Sequence, residues 1–272
     1  MSLLQMPKKV LERIVKDCEY PEIQALRKVC RDLRNFIEEY EPNYQLRRIE
    51  IELRGDQVLF ELYTNAKTTR YMRFRYRKNE DGCMITSDKF VEEKRNLVRC
   101  DDSLAIFFGD LRHILINQRI SLESFHLGFV HFGPDDRYAF WSYEIMEENS
   151  IRMLNFFEDT LKSRIRPIMI EDFQMKGANQ EEIMRVLPLV DHKELRRIQF
   201  QNSYYERSRI LELDQIMKTD QWKCAKKLAI WNFNVCEDWE TFKHFDILEV
   251  FNLQEILKRR NRRTKRKINK RV

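Results

Sequence analysis

The sequence predicts a mixed α/β chain in which a short helical N-terminal region precedes an irregular strand/helix solenoid. Three observations carry this. Apolar residues over 7–37 recur at helical spacings of one, three and four; over 44–100 the period drops to two; from 119 onward a strand-like apolar group recurs, with an amphipathic stretch in each gap.

Val10, Leu11, Ile14, Val15 and Cys18 form one apolar stripe of a helix over 7–19. Tyr20-Pro21 ends it, and Pro21 suits the first turn of the next helix. Ile23, Leu26, Val29, Cys30, Leu33, Phe36 and Ile37 then make a second stripe, which ends before Pro42. Both helices are short, and stripes this broad have room for each other and for a partner.

Residues 48–53 (Arg-Ile-Glu-Ile-Glu-Leu) alternate strictly, 58–63 follow a Gly55-Asp56 turn, and 71–76 alternate large apolar residues with arginine. The expectation is a small set of strands with one solvated face, followed by a helix at 103–117. Leu122-x-x-Phe125-x-Leu127 then opens a recurrence. Ile168-x-Ile170, Leu195-x-x-Ile198-x-Phe200, Leu228-x-Ile230 and Leu248-x-Val250 continue it, and Ile168, Ile198 and Leu228 stand thirty residues apart. The gaps hold amphipathic stretches at 143–162, 180–189, 211–218 and 238–245. Strand then helix at a period near thirty is leucine-rich-repeat-like, without the usual Asn ladder position. An ordinary α/β domain is the competing reading.

Composition excludes several classes. The chain has 272 residues, 43% hydrophobic and 35% charged, which suits a globular protein with a real core. No apolar run approaches the roughly 18 residues of a membrane span. Lys8, Lys9, Glu12 and Arg13 interrupt any secretory apolar region. Six cysteines without a CxxC pair read as reduced structural thiols, in the cytoplasm or nucleus. The net charge of +6 is local, because residues 258–272 hold ten Lys/Arg and no acid, leaving 40 basic against 44 acidic residues before them.

Residues 6–37 resemble an F-box. The pattern is carried by Met6-Pro7, Val10-Leu11, Ile14-Val15, Cys18, Ile23, Leu26 and Val29-Cys30, with Met6 in place of the usual Leu and Leu33 where many F-boxes have Trp. Residues 44–257 are similar to F-box proteins with an FTH domain, a family expanded in nematodes. The likeness rests on the strand at 48–53, the helix end at 111–118, Leu122-Glu123-Ser124-Phe125 and Trp222-x-x-Ala225-x-x-Leu228. The resemblance implies a substrate-recognition subunit of an SCF-type cullin ubiquitin ligase. It divides the chain into an F-box (1–43), a linking region of strands and helix (44–118), an FTH, leucine-rich-repeat-like substrate-binding domain (119–257) and a basic tail (258–272). A Skp-type adaptor, and through it a cullin, would bind at Met6, Pro7, Leu11, Ile14, Val15, Leu26, Val29 and Cys30. After Phe251 the chain runs quickly into the basic tail, so the last repeat is expected to be short.

In an apolar-x-apolar strand the middle residue points away from the core. That rule lines up His126, Met169, Gln199, Ala229 and Glu249 as a row for a protein substrate, with Glu171, Gln201, Trp231 and Phe251 beside it. The competing placement buries Trp231 and Phe251 against a helix. No catalytic set emerges: five scattered histidines, no glycine-rich phosphate loop and no nucleophile elbow. The expectation is a binding protein without enzymatic activity, cofactor, metal or membrane. The alternative function is a nucleic-acid-associated repeat protein acting through the basic tail, which reads equally as a nuclear-import signal or a solvated end.

Overall fold

The computed structural model describes residues 3–18, 20–40, 42, 44–64, 71–89, 92–130, 143–202 and 209–250. A 3-10 turn at Leu3–Gln5 leads into three helices, α1 (Lys8–Asp17), α2 (Tyr20–Val29) and α3 (Arg31–Tyr40). The expected single helix over 23–37 is thus two, broken at Cys30. No Pro or Gly lies between 22 and 41 to announce the break; tertiary packing makes it. Turning there folds α3 back on α2, burying Leu33 and Ile37. Arg27 of α2 reaches Glu38 of α3 at 2.9 Å and accepts the Arg34 Nε hydrogen bond on its carbonyl.

A meander follows: β1 (Arg48–Arg54), β2 (Gln57–Tyr63), β3 (Tyr71–Asn79), β4 (Gly82–Lys89) and β5 (Glu92–Val98), each antiparallel to the last. Gly55, at φ 63°, takes the left-handed position of the two-residue β1–β2 turn. Then come α4 (Ser103–Asn117), β6 (Leu122–Phe129), α5 (Tyr143–Lys162), β7 (Ile170–Lys176), α6 (Gln180–Val186), β8 (Arg197–Gln201), β9 (Arg209–Ile210), α7 (Asp220–Cys224), β10 (Lys227–Trp231), β11 (Phe233–Asn234) and β12 (Ile247–Val250). Ten strands form one sheet in the order β12-β10-β8-β7-β6-β1-β2-β3-β4-β5. From β6 to β12 the pairs are parallel, and β1 joins the two halves by pairing parallel to β6. The stretches 44–118 and 119–257 therefore share one sheet. The amphipathic stretches at 143–162 and 180–189 carry α5 and α6, whereas those at 211–218 and 238–245 carry only 3-10 turns, at Ile216–Lys218 and Trp239–Phe242.

The mixed α/β class with N-terminal helices holds, but the repeat register differs from the sequence reading. Phe173, not Ile168, aligns with Phe125 and Ile198. Each repeat strand shares one form: Leu122/Phe125/Leu127, Ile170/Phe173/Met175, Leu195/Ile198/Phe200, Ala225/Leu228/Ile230 and Phe245/Leu248/Val250. The intervals between the middle residues are 48, 25, 30 and 20, so the thirty-residue spacing does not persist. Ile168 is buried through a separate bridge to Val190. An apolar-x-apolar match there was physically sound and in the wrong register.

One core runs through the molecule. α4 packs under β2, β3 and β4, and α5 lies against β1. Phe107 meets Phe60 and Tyr76 edge-on, while Phe157 meets Phe125 in the same way. The N-terminal helices belong to this core: Val15, Tyr20, Ile23 and Ile37 join it, and Tyr20 stands edge-on to the fully buried Tyr44 at 5.1 Å. Tyr44 in turn lies 5.7 Å from His113 of α4.

The C-terminus of α4 is closed by a distant side chain. Arg164 donates to the carbonyls of Leu115, Ile116 (3.3 Å) and Gln118 (2.8 Å), satisfying groups that a helix end leaves orphaned. Arg164→Ala is expected to cost about 1–3 kcal/mol, a fall of roughly 2–8 °C in melting temperature. An unchanged melting curve would show that solvent replaces the guanidinium.

Candidate functional site

Two surfaces stand apart from the core. The first lies on α1 and α2. Pro7, Val10 and Ile14 follow one another at helical spacing, Val10 42% exposed and Ile14 half-buried. On α2, Leu26 is half-buried and Val29 is 67% exposed, and Cys30, at the break just after it, is half-buried. Val29 has no place in a folded core and is unusually bare for a β-branched apolar side chain. Met6 is half-buried just before α1. Leu11 and Val15 differ from the others: at 6% and 2% exposed they face inward and support the helices. Val10, part of the F-box pattern, is exposed as well, although the sequence alone does not assign it to the adaptor contact.

The second surface is the sheet face opposite the helices. Register places Glu249, Ala229, Gln199, Gln174, His126, Glu50 and Glu61 in one row across seven strands. Trp231, Gln201, Lys176, Gly128 and Glu52 form the next. Of the expected substrate residues, the structure aligns His126, Gln199 and Glu249 in the first row and Gln201 and Trp231 in the second. Met169 and Glu171 do not join them. Met169 precedes β7, and Glu171 lies level with Arg196 at the opposite strand end. Gln174 and Lys176 take those places. Phe251 lies outside the described residues.

The row is a hydrogen-bonded ladder. Gln199, only 6% exposed, donates to both oxygens of Asp172 at 2.9 Å, and Gln174 donates to the same carboxylate at 3.3 Å. Arg197 reaches Glu249 at 3.4 Å, from β8 to β12, and so spans β10 between them. On β10 between them, Ala229 is level with Glu249 and is 0% exposed. Trp231 is half-buried. Sequence reading missed Asp172, Gln174, Lys176 and Arg197, all of which follow once Phe173 sets the register. Beside the ladder an open groove of about 220 Å³ is lined by Glu50, Glu52, Arg54, Leu59, Glu61 and Arg73. Burial raises the Glu50 carboxyl above its usual range, with Glu61 adding to the effect.

A family model for the F-box domain matches residues 3–43, the stretch of α1, α2 and α3. A second, for the FTH domain, matches residues 152–271, from within α5 through the repeat strands. The chain is an FTH-domain F-box protein. No curated protein matches it. No solved structure matches it either.

An F-box implies an SCF-type substrate-adaptor role, with a Skp-type adaptor and a cullin as partners. F-box proteins of the FTH type are typically adaptors rather than enzymes. Among the described residues no group of three His, Cys, Asp or Glu is placed to hold a metal, and no helix is long and apolar enough to cross a membrane. The FTH match extends through the basic run at 258–271, which lies outside the described residues. His131 also lies outside them.

Two imidazoles of this F-box protein are held neutral. Burial, the leading cause, lowers the pKa of His113 beneath the N-terminal helices, where Arg27 pushes the same way, and of His126 on the sheet face, where Glu52 opposes the shift and Lys176 adds to it. A base depressed in the fold takes its proton more readily when unfolded. Stability therefore falls as pH drops below the ordinary value of 6.5. The urea midpoint is expected to decline between about pH 7 and pH 5, and His113→Gln with His126→Gln should flatten that slope. An equal slope in the double variant would place the dependence elsewhere.

Proposed function

We propose that this protein docks a Skp-type adaptor through the exposed apolar strips of α1 and α2 and presents a protein substrate on the open sheet face. The observation that carries the reading is the exposure of Val10 and Val29 inside an F-box match. A helical partner covering those strips supplies the burial they lack. Because the F-box helices share a core with the sheet, the adaptor surface and the sheet face keep a fixed mutual orientation. The contribution to ubiquitin transfer is then geometric, holding a target lysine near a charged conjugating enzyme at high effective concentration.

The substrate surface in this reading is the ladder of Gln174, Gln199 and Arg197 with Trp231 and Gln201 beside it. Half-buried Trp231 at the margin of a polar row is a suitable anchor. The protein acts in the cytoplasm or nucleus on this account, in keeping with six free cysteines. The nucleic-acid alternative has no support from the family matches. Co-expression of the full chain with a Skp-type adaptor and a cullin tests the proposal by gel filtration. Co-elution of all three is expected; a chain that elutes alone would remove the basis of the reading.

A further inference from the structure

The outer corner of the same sheet face, across β2 to β5, carries a second pattern that the substrate ladder does not use. Arg73, Arg75 and Arg77 alternate toward this face along β3, spaced about 7 Å apart as alternate strand residues are. Arg73 is committed to Glu61 at 2.5 Å. Arg75 and Arg77 are not; among the described residues neither forms an ion pair or a side-chain hydrogen bond. Arg77 is near enough to Asp56 to favour its ionised form, yet burial still raises that carboxyl.

Register fixes what lies beside them. Thr86 of β4 and then Arg95 of β5 continue the row of Arg75, while Met84 and then Leu97 continue the row of Arg77. Leu97 is 46% exposed on the edge strand, and Arg95 is exposed. Edge strands ordinarily hide such apolar side chains behind charge. Here cations and apolar groups lie in adjacent rows, and a partner that fits must bring anions and an apolar side chain together.

We propose that this corner binds an acidic segment of a protein partner, its anionic side chains seated on Arg75 and Arg77 and an apolar side chain on Met84 and Leu97. The inference rests on the substrate-receptor reading and names the chemistry of the substrate it favours. A protein segment fits better than nucleic acid for two reasons. A uniform polyanion gains nothing from Met84 and Leu97. Its backbone would also meet the carboxylates of Glu50, Glu52 and Glu61 in the neighbouring groove.

The full chain bound to its Skp-type adaptor is to be titrated against a fluorescein-labelled peptide of repeating Glu-Glu-Leu, read by fluorescence anisotropy. Saturable binding that weakens with salt is expected. Arg75→Glu with Arg77→Glu should weaken it about tenfold or more, and Leu97→Ser by a smaller factor, with adaptor binding and melting temperature retained. Absent binding, equal binding by the charge-reversed variant, or tighter binding of a uridine-rich RNA in place of the peptide would each overturn the proposal. Adaptor capture in the same sample separates the two readings. If the adaptor is lost, the F-box reading fails; if it is kept and the peptide result fails, only this inference falls.

Discussion

Val10→Asp combined with Val29→Asp is expected to weaken adaptor binding by about a hundredfold or more while leaving the melting temperature unchanged. Truncating a central interface anchor commonly costs about 2–4 kcal/mol, and a carboxylate buried against an apolar partner adds an uncompensated charge. The two valines are the right probes because they are 42% and 67% exposed, so neither substitution disturbs the core. Leu11 is a poor probe although it fits the F-box pattern: at 6% exposed, its truncation opens a cavity as well as trimming the surface. Surface plasmon resonance against immobilised adaptor reads the affinity, and a thermal melt reads the fold. Full affinity in the double variant would move the contact to another face.

Ile23→Ala is expected to destabilise the whole chain by about 2–5 kcal/mol, not the N-terminal helices alone. Ile23 is 0% exposed and belongs to the core that includes Tyr44, Phe107 and Leu111. Its neighbours form a continuous seam: Tyr20 on Tyr44, Tyr44 on His113, and Tyr76 donating to Asp110 of α4 at 2.7 Å. Two probes check this. Far-UV dichroism follows the helices, and tryptophan fluorescence follows Trp141, Trp222, Trp231 and Trp239, all of which lie outside the F-box match. Coincident transitions, both shifted down, are expected. A fluorescence transition that stays in place while the helices melt early would show an F-box folding as its own unit.

What could be read from sequence was the periodicity. Ile49, Ile51 and Leu53 alternate inward on β1, as the strict pattern required, and α4 begins at Ser103 after the Asp102 side chain caps it. What could not be read was phase and direction. Ile168-x-Ile170 and Phe173-x-Met175 are equally apolar, and only pairing with neighbouring strands selects the second. One wrong choice there displaced Met169 and Glu171 and hid Gln174 and Lys176, because each level of a sheet inherits its register from the strand beside it. The break at Cys30 was hidden for a related reason. An unbroken helical stripe over 23–37 satisfies local preference, and the turn appears only because Leu33 and Ile37 find better burial by folding back. The joining of β1 to β6 was equally silent, since a parallel pair separated by more than seventy residues leaves no local signal.

Hydrogen exchange of the full chain with and without a Skp-type adaptor tests the central claim most directly, because it reports which surface the adaptor covers. The account expects added protection over 7–18 and 20–30 and none across β6, β7, β8 and β10, whose open face stays free for substrate. Protection on those strands with α1 and α2 unchanged would contradict it.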